Sequence, residues 1–235
     1  MKKLIVTFAL LALPAALKPA TAETPAPTPF KPGERLRYEV VWPSGLSLGE
    51  AEFVANTEQG GWKFGFSLAA SLPNFEIKDQ YTSETDFNLC SKTFHKQFRH
   101  GSKQTDETVT FDQDAHRAQR TTAAGGGESS FDVPPCGRDG LAFLYFLRQD
   151  LARGRISPPD DINFGGQYMI TVTYAESRPI MVAGAPREAD RILVDILGEK
   201  AQHSFEIFFS KDEARTPLAV NVPFELGTFS LRLVE

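Results

Sequence analysis

Apolar and polar residues alternate in run after run of this chain, and that alternation limits the fold more than any other feature. Leu36, Tyr38, Val40 and Trp42 fall on one side of an extended segment whose other side carries Arg35, Arg37 and Glu39. Trp62, Phe64, Phe66 and Leu68 repeat the pattern, as do Val109 with Phe111, and Ile192 with Val194 and Ile196. Phe205, Ile207 and Phe209 follow it too, and so do Phe229, Leu231 and Leu233. A period of two puts each set on one face of a strand, and a single wet face is the mark of an antiparallel sheet. Turn signals at Pro43-Ser44-Gly45, Gln59-Gly60-Gly61, His100-Gly101-Ser102, Gly125-Gly126-Gly127, Gly184-Ala185-Pro186 and Gly198-Glu199 separate the runs, as a meander of hairpins requires. Twist accumulates over so many strands. The expectation is therefore a mainly β domain built on one strongly curled antiparallel sheet, half-barrel or barrel-like.

One segment breaks the period. Asp139 suits a helix N-cap, Leu141 to Leu147 is apolar on nearly every side, and Gly154 offers a stop, with Arg148 and Arg153 placed where cations suit the helix dipole. A helix so apolar cannot lie on the surface. It is expected to pack on, or plug, the concave side of the sheet, burying Leu141, Phe143, Leu144, Phe146 and Leu147.

The first 22 residues read as a secretory leader. Met1-Lys2-Lys3 is basic, Leu4 to Leu17 is apolar, and Ala20-Thr21-Ala22 fits cleavage after Ala22. The apolar run is shorter than the ~20 residues a membrane-spanning helix needs, so no transmembrane segment is expected after cleavage, and a periplasmic or secreted location is. Residues 23–33 carry Pro25, Pro27, Pro29 and Pro32 and read as an extended tether, leaving 34–235 as a single domain. Cleavage removes Lys2, Lys3 and Lys18, so 22 basic side chains face 30 acidic ones. A net charge of −8 with no basic stripe excludes nucleic acid as the natural partner. Cys90 and Cys136 are an even pair in an oxidising compartment, most simply a disulfide, which would constrain the unfolded chain by roughly 4 kcal/mol in the entropy picture.

Chemistry is mostly absent. The chain has no GxSxG, SxxK, HExxH or GxxxxGK[ST] arrangement, so no catalytic residue and no cofactor is assigned. His95 and His100 lie five apart on one strand, hence on opposite faces, and cannot share a metal ion, so no metal site is expected. Glu50 and Glu52 share a strand face and are read as a solvated edge, and Asp160-Asp161 lacks the further oxygens calcium needs. The excess of Phe, 19 against 2 Trp and 5 Tyr, supplies purely apolar surface. It fills a core, or lines a pocket for an acyl chain. Trp42, Trp62, Phe64, Phe66, Phe143 and Phe146 are the candidate ligand-lining residues.

Several segments in fixed order resemble the exported bacterial family DUF3108, a domain of unknown function. They are Phe30-Lys31-Pro32-Gly33-Glu34-Arg35-Leu36-Arg37-Tyr38-Glu39-Val40, Leu48-Gly49-Glu50-Ala51, Asp139 to Arg148, Ser210 to Leu218, and Gly227 to Leu233. Phe209 stands where that family often has Trp before the Ser-x-Asp turn. The resemblance implies an exported, mainly β envelope protein and carries over no catalytic residue. The expected function is non-catalytic binding of an apolar or amphipathic envelope ligand such as a lipid. The alternatives are a structural or partner-binding envelope factor and a glycan hydrolase.

Overall fold

A computed structural model describes residues 27–72, 74–123, 125–199, 202–224 and 227–234. The leader over 1–22 and the first part of the proline-rich segment lie outside the described residues. The alternating runs are strands: β1 (Glu34–Val41), β2 (Ser47–Glu58), β3 (Gly61–Leu72), β4 (Phe75–Asp86), β5 (Ser91–His100), β6 (Lys103–Asp112), β7 (Arg117–Thr122) and β8 (Gly127–Asp132). After β9 (Arg138–Asp139) comes the one described helix, α1 (Gly140–Ala152), then β10 (Asp160–Asn163), β11 (Gln167–Val182), β12 (Ala185–Gly198), β13 (Gln202–Ser210), β14 (Pro217–Phe224) and β15 (Gly227–Leu233).

All fifteen strands belong to one sheet in the order β8-β7-β6-β5-β4-β3-β2-β1-β15-β14-β13-β12-β11-β10-β9. Two meanders therefore meet where β1 pairs antiparallel with β15, Val40 opposite Leu231. Every pairing is antiparallel except β9 with β10. The expected single large sheet and single helix are present, but the sheet is neither closed nor strongly curled. Its bends are local, at register shifts such as Val40/Val41, Glu84/Thr85, Tyr174/Glu176 and Phe208/Phe209. At the β9 end, two residues are too few to carry a ladder onward. There the Phe164-Gly165 loop is tied by side chains instead: Arg120 Nη1 donates to Gly165 O at 2.6 Å, and Lys96 Nζ to Phe164 O at 3.5 Å. Gly165 adopts φ +75°, a left-handed conformation that favours glycine, and sits against the Lys96–Glu107 ion pair.

Asp139 caps α1 as expected, accepting from Leu141 N and Ala142 N, and Gly154 follows the helix with φ +71°. The helix faces both meanders. Leu141 and Tyr145 join the core formed by β1 to β6, while Phe143, Leu147 and Leu151 join Ile162, Ile170, Val172, Ile192, Val194, Ile207 and Phe209 in a second cluster. Arg148 does not serve the helix dipole; it is buried. Phe30 also departs from expectation. It falls within the expected tether, yet it packs edge-on against Trp62 and Tyr145 at centroid distances of 4.8 and 4.9 Å. The strand begins at Glu34 as expected, but the chain is anchored before it. Among the described residues no helix is long and apolar enough to cross a membrane.

Candidate functional site

The six aromatics expected to line a ligand are distributed through filled cores. Phe64 is fully buried and stacks on Tyr145 at 3.9 Å, Trp62 lies parallel to Phe64 at 5.9 Å, and Phe66 packs on Phe53 at 4.6 Å and on Tyr81 at 5.4 Å. Trp42 packs at the margin of the same cluster and meets Phe229 edge-on. Phe143 belongs to the second cluster, and Phe146 lies under the Arg138 guanidinium at 3.8 Å. The structure brings Trp62, Phe64 and Phe66 together in one core, where Phe64 stacks directly on Tyr145 of α1. Apolar surface packed this tightly gains its dispersion energy from neighbouring side chains.

Two polar junctions fix α1 in this core. At its N-terminus the Asp139 carboxylate, fully buried, accepts from Ser83 Oγ and Ser91 Oγ, each at 2.6 Å, besides the two helix N–H groups. Burial pushes this carboxyl above its ordinary value, and the four donors oppose that shift. Next to it the expected disulfide is formed: Cys90 and Cys136 are joined, with Ser91 N donating to Gly137 O at 3.0 Å. Towards the other end of the helix, Arg148 is 1% exposed. It reaches Glu34 through both carboxylate oxygens, at 2.6 and 3.0 Å, and donates to Ala214 O at 3.0 Å. Tyr38 Oη donates to Pro217 O at 2.7 Å, closing the same junction, and burial raises its phenol far above the ordinary range.

Room for a ligand lies on the opposite side of the sheet. A trough of about 1480 Å³ crosses β1 to β6, and none of the six aromatics lines it. Strand alternation sends Tyr38, Ala51 and Phe53 inward, so the neighbours between them point into the trough. The registers build two transverse rows there. Arg37, Glu52, Ser67, Gln80, Gln97 and Asp106 are successive cross-strand partners in the first. In the second, Glu39 faces Glu50, Glu50 faces Ala69, Ala69 faces Lys78, and Lys78 faces Arg99. The first row is largely self-satisfied: Glu52 takes Arg35 at 2.9 Å and Arg37 at 3.4 Å, while Asp106 takes His95 and Gln97 at 2.8 Å each. His95 and Gln97 draw the Asp106 carboxyl below its usual value. The second row is not. Neither Glu39, Glu50 nor Arg99 makes a salt bridge with any described residue, and Lys78 has only the exposed Glu76 at 2.7 Å.

His100 sits on the core side with Asp79 at 2.8 Å, so the two histidines do occupy opposite faces, each with its own aspartate. Among the described residues no group of three His, Cys, Asp or Glu side chains is placed to hold a metal ion. The trough floor uses a glycine for a steric reason: a side chain on Gly49 would begin 2.0 Å from Ala69 O, so β2 and β3 approach as they do only with none there.

A family model described as "Protein of unknown function (DUF3108)" matches residues 37–234. The chain belongs to that family. No curated protein matches it. A crystal structure titled as a beta-barrel-like protein of domain of unknown function DUF1849, from Brucella abortus, is similar to it in fold. The TM-score is 0.63 at 9% identity, over 87% of this chain and 97% of that one. In this DUF3108 protein the segments behind the resemblance converge in space. Glu34 and Tyr38 from the first, Arg148 from the helix, and Ala214 and Pro217 from the Ser210–Leu218 segment all meet at one buried junction. Nothing in the sequence marks Arg148 for that role, since an arginine near a helix end reads as solvated. The trough residues are equally unmarked, because each one alone is an ordinary polar position on a strand.

Proposed function

We propose that this DUF3108 protein is a non-catalytic binding protein of the cell envelope that engages a polar, extended partner along the trough across β1 to β6. One observation carries the reading: the apolar face is packed full, whereas the charged face is hollow and leaves ionic groups unpaired. This favours a polar partner over the acyl ligand expected from the Phe content. Export is supported by the leader-like first 22 residues and by the Cys90–Cys136 bond, which persists in an oxidising compartment. The absence of catalysis is supported by how the candidate groups are used. Ser83 and Ser91 direct their hydroxyls at Asp139 with no histidine beside them, and each paired histidine faces a carboxylate rather than a nucleophile.

The test is a photo-crosslinking amino acid placed at Gln80 in the full exported chain, with a matched one at half-buried Trp42. Covalent capture of a polar partner from position 80, and none from position 42, is expected. A lipid adduct at position 42 with nothing at position 80 would overturn the reading and restore the apolar ligand.

A further inference from the structure

The second trough row is charge-segregated. Glu39 and Glu50 face each other directly across β1 and β2, and Lys78 and Arg99 do so across β4 and β5, with exposed Ala69 between the pairs. Like charges placed directly opposite on a sheet are destabilising. Exchanging Glu50 with Lys78 would turn both contacts favourable. Arg232, opposite Glu39 across β15, and Glu76, paired with Lys78, temper the two repulsions, but the layout still leaves Glu39, Glu50 and Arg99 without salt bridges among the described residues and is suited to receiving charge from outside.

Geometry states what kind of charge. The midpoint of the acidic pair and that of the basic pair are three strand spacings apart, about 14 Å. Four extended residues span about 13 to 14 Å. Ala69 keeps the floor between the pairs low.

We propose that this row binds a short extended peptide lying across the strands, its ammonium terminus between Glu39 and Glu50 and its terminal carboxylate between Lys78 and Arg99. The assignment rests on the trough being the binding face. Each end then places one ligand charge between two protein charges of opposite sign, which removes both repulsions at once. The amide of Gln80 flanks the path of the peptide backbone, and Gln104, opposite Arg99 on β6, lies just beyond its carboxylate end.

Tetra-alanine with free termini is the probe, titrated into the isotope-labelled folded protein at low salt and followed by NMR. Amide shifts confined to β1 to β5 are expected, with affinity at least tenfold weaker for the N-acetylated or C-amidated peptide. E39Q/E50Q should erase the penalty for acetylation while keeping that for amidation, and K78Q/R99Q the reverse. Both variants lose a repulsion and should fold, which a thermal melt verifies. Equal binding of free and blocked peptides, or no shifts with tetra-alanine, overturns the peptide assignment. If position 80 still captures a polar partner by crosslinking, only this assignment fails; if it captures nothing, the trough reading fails with it.

Discussion

The two faces of β1 to β6 are made from the same six strands and obey opposite rules. On the core face, side chains interdigitate with α1 and with Phe30, and buried polar groups such as Arg148 and Asp139 are met by several partners each. On the trough face, small and charged residues leave a hollow, and like charges stand opposite each other, Glu39 facing Glu50 and Lys78 facing Arg99. The strands cannot be the cause of the difference, since backbone and register are shared. One face was built to be filled by this chain. The other was built so that this chain does not fill it.

The sharpest way to break that contrast is to truncate a side chain on each side. Phe64→Ala removes a fully buried ring from between Trp62 and Tyr145 and should cost about 3 to 5 kcal/mol in urea unfolding. Gln80→Ala, on the trough face, should change stability by less than about 0.5 kcal/mol. Equal losses would mean that the trough contributes to folding as much as the core does.

A second prediction concerns the buried carboxylate. The folded chain retains the Asp139 proton at pH values where the unfolded chain, with an ordinary value near 4, has released it. This group therefore lowers stability as pH rises from about 4 towards its higher folded value, and adds no further slope above that value. Asp139→Asn keeps an oxygen for the two helix N–H groups and lets Ser83 and Ser91 accept instead of donate. Its cost, of about 1 kcal/mol at the acid end, should shrink or reverse as pH is raised to 7. Unfolding curves for both proteins across that range decide it, and parallel pH profiles would show that the four donors offset burial entirely.

The sequence makes one face legible and hides the other for a physical reason. Core strands announce themselves by a local period, so Leu36 to Trp42 and Trp62 to Leu68 can be placed without any partner in view. The helix is equally readable from Asp139 and Gly154, because caps are local chemistry. Trough chemistry is transverse. Glu39, Glu50, Lys78 and Arg99 are far apart in sequence, and only the registers of four pairings put them in one row. Arg148 misleads because its partner Glu34 lies 114 residues away. The sheet curls less than its strand number suggests, since accumulated twist does not say whether the end strands are long enough to pair, and β9 has only two residues.

The smallest expected effect bears hardest on the comparison. Glu50→Lys sets a lysine opposite Glu39 and should stabilise the protein by about 0.2 to 1 kcal/mol at low salt. Most of that gain should vanish in about 1 M salt, where the screening length falls to about 3 Å. The same substitution should abolish the preference for a free ammonium terminus in tetra-alanine, so stability and binding would move in opposite directions. That sign is the point of the experiment. A destabilised Glu50→Lys would mean that Glu50 is already satisfied within the folded chain, and the hollow face would then owe its charges to solubility rather than to a partner.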